Sequence, residues 1–88
     1  MITKKMMALY SEALELLTAK NRDPRGNILT NYCMIDFHDA GGLDSCLIIR
    51  KDGTRGVLCE VWTEIDESWQ MLLQLLPSEV QSWISTYC

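Results

Sequence analysis

Thiol and imidazole groups are the most reactive side chains that this sequence offers. It contains four cysteines and a single histidine, His38, which lies between Cys33 and Cys46. A histidine that takes the proton of a thiol creates a nucleophile, provided that a third group orients the imidazole. Asp36 and Asp39 have the chemistry for that third role. No local signature surrounds any cysteine, so the packing of small buried thiols is the simpler interpretation.

The same residue types can also bind a metal ion or form a disulfide. The donors follow in the order Cys33, His38, Cys46 and Cys59, but no Cys-x-x-Cys pair marks a structural zinc site. We therefore expect no metal and no cofactor. A disulfide between Cys46 and Cys59 requires that the two residues pair directly across a hairpin. The sequence lacks the pattern of a secretion signal, and we expect free thiols in a cytoplasmic protein.

Acidic residues are concentrated in the last third of the chain. The net charge is −4, and the segment from Gly56 to Cys88 contains no Lys or Arg. This distribution disfavours binding to a phosphate backbone, so nucleic acid is not an expected partner. It favours a protein partner with a basic surface. All three tryptophans lie in the same segment, and tryptophan is enriched at the centres of protein interfaces. The predicted partner-binding residues are Glu60, Trp62, Glu64, Asp66 and Glu67.

The first half of the chain predicts one helix and one strand. Apolar residues recur at three- and four-residue steps over residues 3–20, and Thr3 has the chemistry of an N-cap. Pro24 disfavours helix at the residue before it, so the segment 22–27 is expected to end the helix. Residues 28–37 have the alternation of a strand, with Cys33, Ile35 and Phe37 on the core-facing side.

A hairpin is predicted around Asp52-Gly53, which separates two runs rich in β-branched residues. A two-residue turn there pairs Arg50 with Arg55 and places like charges opposite each other, which is unfavourable. A three-residue turn over residues 51–53 pairs Arg50 with Thr54 instead. We favour this second register, which separates two faces. One face holds Leu47, Ile49, Val57, Cys59 and Val61; the other holds Cys46, Ile48, Gly56, Leu58, Glu60 and Trp62.

The last third predicts two helices. Residues 64–76 have the spacing of a helix with an N-cap at Thr63, and its apolar stripe comprises Ile65, Trp69, Leu72, Leu73 and Leu76. Gln74 and Pro77 interrupt the longest apolar stretches, so no membrane span is expected. Ser78 and Gln81 have the spacing of a second capping box, which predicts a short helix through Val80, Trp83 and Ile84.

The elements combine into an α+β fold in the order α-β-β-β-α-α. A three-stranded antiparallel meander packed against helices is the economical arrangement, in a single small globular domain over residues 1–88. Because no residue pattern indicates a catalytic site, the expected function is that of a small acidic protein-interaction module and not of an enzyme. It would act as a regulator, inhibitor or accessory protein of a bacterial or phage system, and self-association into a homodimer is a related alternative. The alternative from another class is a small thiol- or zinc-dependent enzyme centred on His38 and the cysteines.

Overall fold

The computed structural model describes residues 1–65 and 68–88, and side chains over residues 1–64 and 71–88. Its elements, in chain order, are helix α1 (Lys4–Ala19), strands β1 (Arg25–Ile28), β2 (Tyr32–His38), β3 (Asp44–Asp52), β4 (Gly56–Ile65) and β5 (Ser68–Leu75), a 3-10 turn (Pro77–Glu79) and helix α2 (Val80–Tyr87). The strands form an antiparallel meander in the order β1-β2-β3-β4-β5. The α+β class is confirmed, but over the described residues the sheet has five strands rather than three. None of the helices of the described residues is long and apolar enough to cross a membrane.

Helix α1 agrees with the prediction from its spacing. The Thr3 side chain accepts a hydrogen bond from the Met6 amide, as expected of an N-cap. The helix ends at Ala19, because Asn21 adopts a left-handed conformation (φ 59°) and the Arg22 amide donates to the Leu17 carbonyl. The end of the helix is therefore set before Pro24 is reached.

The predicted strand over residues 28–37 is two strands. Residues 25–28 form β1, and the chain reverses before β2, where the Leu29 amide donates to the Tyr32 carbonyl over 2.9 Å. The segment that we expected only to end the helix thus contributes a strand of its own. The core-facing side is confirmed, since Cys33, Ile35 and Phe37 are all buried.

The hairpin register differs from the prediction, but the faces do not. Arg50 pairs with Leu58 rather than Thr54, and the turn occupies residues 53–55 between the paired Asp52 and Gly56. Gly53 has a positive φ of 50°, which glycine adopts at little cost. The shift along the strand is an even number of residues, so each side chain keeps its face. The residues predicted to face the core are all buried: Leu47, Ile49, Val57, Cys59 and Val61.

The predicted helix over residues 64–76 is wrong, because this segment contributes the end of β4 and the whole of β5. Leu72 and Leu76 were expected to face inward, yet they are 54% and 57% exposed. Leu75, outside the predicted stripe, is buried where it pairs with Cys59. Closely spaced leucines fit both a helical and an alternating pattern, and pairing with β4 decides between them.

The short C-terminal helix is confirmed as α2, although Ser78 does not cap it. Instead, the Glu79 carboxylate accepts from the Leu76 amide over 3.3 Å in the preceding 3-10 turn. Lys20 Nζ donates to the carbonyls of Ile84 and Ser85 over 3.1 and 3.0 Å. A cation at these carbonyls opposes the negative end of the helix dipole, so the end of α1 helps to hold α2 in place.

The core lies between the two helices and one face of the sheet, which we call the covered face. Apolar side chains from α1, α2 and the strands form one continuous cluster there. Phe37 packs edge-on against Trp83, with ring centroids 6.4 Å apart. The buried residues that α1, α2 and the C-cap of α2 contribute are Met6, Tyr10, Ala13, Leu17, Val80, Ile84 and Cys88. Neither α1 nor α2 covers the opposite face of the sheet, and that face holds the candidate site.

Candidate protein-interaction face

The side of the sheet that α1 and α2 do not cover is called here the open face. Strand alternation places even-numbered residues of β2, β3 and β4 on it, because the odd-numbered residues point into the core. Many of these side chains are apolar and only half-buried. The open-face residues of these three strands are Tyr32, Met34, Asp36, His38, Asp44, Cys46, Ile48, Arg50, Asp52, Gly56, Leu58, Glu60, Trp62 and Glu64.

One row of the open face combines an indole, a thiol and a carboxylate. Asp36 pairs with Cys46, and Cys46 pairs with Trp62, so the three residues are direct neighbours across β2, β3 and β4. Direct cross-strand neighbours have Cβ atoms about 5 Å apart, which brings their side chains into contact range. A shallow depression of about 410 Å³ lies over this row, lined also by Met34 and Ile48. Its floor is apolar, with one carboxylate at its side.

Cys46 is a protonated thiol at the floor of this depression. Burial, the negative charge of Asp36 and a hydrogen bond to that carboxylate together raise the pKa of Cys46 to about 12. A thiol attacks only as its thiolate, so the raised pKa suppresses nucleophilic chemistry near neutral pH. Cys46 therefore acts here as a small apolar group and a hydrogen-bond donor.

A salt bridge joins two neighbouring rows of the open face, because Glu60 pairs with Ile48 and Arg50 pairs with Leu58. Glu60 is only 7% exposed, and its carboxylate forms a salt bridge with the guanidinium of Arg50. The Arg50 side chain remains half-exposed. A buried carboxylate is costly without a cation beside it, so Arg50 allows Glu60 to lie within the sheet. Glu60 thus presents little negative charge to a partner.

The predicted binding residues divide into described and undescribed positions. Glu60, Trp62 and Glu64 lie on the open face of β4, while Asp66 and Glu67 lie outside the described residues. Trp62 and Glu64 are both half-buried and follow each other on the same side of the strand. Trp83 lies on α2, on the covered face, so Trp62 and Trp83 do not share a surface.

The residues of the thiol-enzyme and zinc alternatives do not form one site. Cys33 and Cys59 face the core, and burial raises the pKa of Cys33 and raises that of Cys59 to about 12. His38 and Cys46 share the open face as diagonal neighbours, but His38 Nε2 lies 3.1 Å from Asp44 Oδ1. Over the residues that the structure describes, no three His, Cys, Asp or Glu side chains cluster as a metal site. All four cysteines are free, and Cys46 and Cys59 lie on opposite faces.

Sequence reasoning missed the contribution of β2 to this surface. Alternation alone places Met34 and Asp36 opposite Cys33 and Ile35, but it does not say which residues of β3 they meet. The register between β2 and β3 sets Asp36 beside Cys46 and thereby one strand away from Trp62. The available signal was the turn over residues 39–43, whose length fixes that register.

The comparisons with known proteins add no relative. No family model matches the chain, and neither a curated protein nor a solved structure matches it.

Proposed function

We propose that this protein acts by binding another protein, and that a basic segment of the partner docks on the open face at Trp62. The observation that carries the proposal is the row Asp36, Cys46 and Trp62, which sets an indole over an apolar depression beside a carboxylate. Glu64 lies on the same side of β4, next to Trp62, so carboxylates occur on two sides of the ring.

The chemistry of this row selects a partner side chain with a cation on an apolar stem. A Lys or Arg side chain over the Trp62 ring gains a cation–π interaction. Its charge can meet Asp36 or Glu64, while its methylene groups cover the apolar floor formed by Met34 and Ile48. An acidic segment meets like charge at the same place, which disfavours its binding.

Two unsatisfied donors lie under the same face. Within residues 1–64 and 71–88, Trp62 Nε1 and Arg50 Nε are buried without an acceptor in hydrogen-bond range. An unsatisfied buried donor costs stability, on the order of 1–3 kcal/mol. Residues that cost stability are typical of surfaces that are constrained by function. This supports a role for Trp62 beyond the packing of the sheet.

The biological role that fits such a module is that of a regulator, inhibitor or accessory protein. An acidic chain that exposes an aromatic ring beside carboxylates can occupy a basic surface of its target and block other ligands. Four free thiols with no disulfide fit a reducing compartment, which supports our proposal of a cytoplasmic location.

A displayed library of peptides that differ in charge tests the proposal. We expect enrichment of peptides that combine Lys or Arg with apolar residues. Affinity for an enriched synthetic peptide should fall at least about tenfold in Trp62→Ala, because interface tryptophans commonly contribute more than ~1 kcal/mol. Asp36→Asn should weaken binding less and reduce its dependence on salt.

Glu12→Gln provides the matched control, because Glu12 is an exposed carboxylate on α1, on the other side of the molecule. This variant should bind the peptide like the wild type. Enrichment of acidic peptides, a library without any binder, or equal affinity in wild type and Trp62→Ala would contradict the proposal. Circular dichroism and urea unfolding confirm in each case that the variant is folded.

A further inference from the structure

Among the described residues, strand β5 forms one edge of the sheet, and none of the other strands lies on its outer side. The outward N–H and C=O groups of such a strand can pair with a strand of another chain. Proteins that remain monomeric block this pairing with charged side chains, proline, short strands or bulges. An unblocked edge strand therefore indicates a partner strand.

Most of these blocking features are absent from β5. It runs for eight residues, with the sequence Ser-Trp-Gln-Met-Leu-Leu-Gln-Leu. No charged residue, proline or glycine occurs in it. Its one irregularity is a bulge, where Val61 pairs with Leu73 while Trp62 pairs with Met71. The bulge places Leu72 between these pairs, and Leu72 is exposed.

An apolar surface accompanies this edge, and part of it lies on the covered side of the sheet, where Leu73 pairs with Val61. Leu72, Leu73, Leu76 and Tyr87 are all exposed, and Tyr87 at the end of α2 is 65% exposed. Leu72, Leu73 and Tyr87 line a cleft of about 380 Å³ together with Trp83, and Val61 and the polar residues Asp39, Ser45 and Thr63 complete its lining. Helices α1 and α2 leave this part of the sheet uncovered. We call Leu72, Leu73, Leu76 and Tyr87 the edge patch.

We infer that a second copy of this chain covers β5 and the edge patch, and that the two β5 strands pair antiparallel about a two-fold axis. This inference is independent of the proposed docking at Trp62. The resulting sheet is continuous through both copies, as in other two-fold dimers built by strand addition.

The charge of the chain favours this place for contact between two copies. The molecule carries a net charge of −4, so most of its surface repels its own copy. Strand β5 and the edge patch contain no ionisable carboxylate. The carboxylate that lines the cleft beside them, Asp39, accepts hydrogen bonds from the Gly41 and Leu43 amides. Leucine side chains of one copy then lie in the cleft of the other, so each copy uses the same surface to form the interface.

The dimensions of the edge suit a small stable dimer. A strand of eight residues is about 27 Å long, at roughly 3.4 Å per residue. A specific dimer buries about 800 Å² on each partner. That is a modest part of the 5571 Å² surface of this chain.

Sedimentation equilibrium over a wide range of concentrations tests the inference. Wild type should pass from the monomer mass of 10.1 kDa to twice that mass as the concentration rises. Leu72→Lys and Leu76→Lys, each at an exposed position, should raise the dissociation constant at least about tenfold, because each introduces a charge into the interface. Ile28→Lys is the matched control at the exposed edge β1, and it should dimerise like the wild type.

Three results would overturn the inference: a wild type that is monomeric up to its solubility limit, a dimer that both leucine variants preserve, or a dimer that Ile28→Lys abolishes. Hydrogen exchange of the wild type gives a measurement that needs no variant. Amides of β5 should exchange more slowly in concentrated than in dilute protein, while amides of β1 should be unaffected. Equal exchange of β5 at both concentrations would place the interface elsewhere. The variant Trp62→Ala, which tests the open face, should sediment with the same mass as the wild type at each concentration.

Discussion

The two edges of the sheet solve the problem of unpaired backbone groups in different ways. Strand β1 is four residues long, contains Arg25 and Gly26, and follows Pro24. Strand β5 is twice as long and contains no charge, proline or glycine. Short strands, charges and proline all discourage further pairing. The contrast indicates that β1 ends the sheet, whereas β5 is suited to continue it.

Helix α1 completes the closure of the β1 edge. An added Cβ at Gly26 would lie 1.9 Å from the hydroxyl of Tyr10, so this helix side chain rests directly on the strand backbone. Only glycine permits such a close approach. At the other edge, α2 leaves part of β5 uncovered, and the exposed leucines follow from that gap. The helices therefore decide which edge is closed.

Matched truncations on the two edges should show the largest difference. Leu75 is 3% exposed and pairs with Cys59, whereas Ile28 is 52% exposed and pairs with Cys33. Leu75→Ala should lower the free energy of unfolding by about 2–5 kcal/mol, because it removes buried methyl groups and leaves a cavity. Ile28→Ala should cost less than about 1 kcal/mol. Urea unfolding of both variants measures the difference, and equal losses would mean that the β5 edge is not packed as described.

Adding a methyl group at Gly26, where Tyr10 packs on the strand, should have the next largest effect on stability. Gly26→Ala introduces a methyl group where the Tyr10 ring lies, and we expect a loss of about 1–3 kcal/mol through overpacking. Tyr10→Phe removes the nearest atom, so the double variant should lose less than the sum of the two single changes. Thermal unfolding of the three variants completes the cycle. Strict additivity would show that the two residues are not in contact.

Cys59 pairs with Leu75 of β5, and Cys33 pairs with Ile28 of β1. We expect the smallest difference between the two edges in how these two thiols make stability depend on pH. Burial raises the pKa of Cys59 from 9.0 to about 12, and it raises that of Cys33 as well. The folded state therefore holds these protons when the unfolded state has lost them, so stability is full below about pH 9 and falls as the pH rises from there.

The measurement compares variants that lack one thiol at a time. Cys59→Ala should reduce the alkaline loss of stability by an amount on the order of 1 kcal/mol per pH unit, because one pKa unit corresponds to about 1.4 kcal/mol. Cys33→Ala should reduce it less, since the shift of Cys33 is smaller. Urea unfolding at a series of alkaline pH values gives both slopes. A larger effect for Cys33→Ala would reverse the ranking of the two thiols.

Local sequence was sufficient for the elements whose pattern has one interpretation. The Thr3 cap and the apolar stripe through Tyr10 and Leu17 predict α1, and both features occur in the structure. Alternation predicts which residues of β2, β3 and β4 face the core, even where the hairpin register was wrong. These signals are local because capping and side-chain periodicity depend on residues only a few positions apart.

The candidate site was predictable only in part, for the same reason. Trp62 and Glu64 follow from the acidic and aromatic composition of their segment, and Glu60 was predicted beside them. That Arg50 forms a salt bridge with Glu60, and that Asp36 lies in the same row as Trp62, depends on registers between strands. A register is the result of several turns and of the core as a whole, and no single window of sequence contains it.

The sequence by itself determined the α+β class, helix α1, the short helix α2, the faces of the central strands and the concentration of acidic residues near the C-terminus. The tertiary structure alone decided that residues 68–75 form a strand, that β1 exists, and that one edge is closed while the other is open. The leucines of β5 satisfy a helical and an extended pattern equally well. Only the free backbone groups of β4 and the pocket that receives Leu75 select the strand, and both exist only after the rest of the sheet has formed.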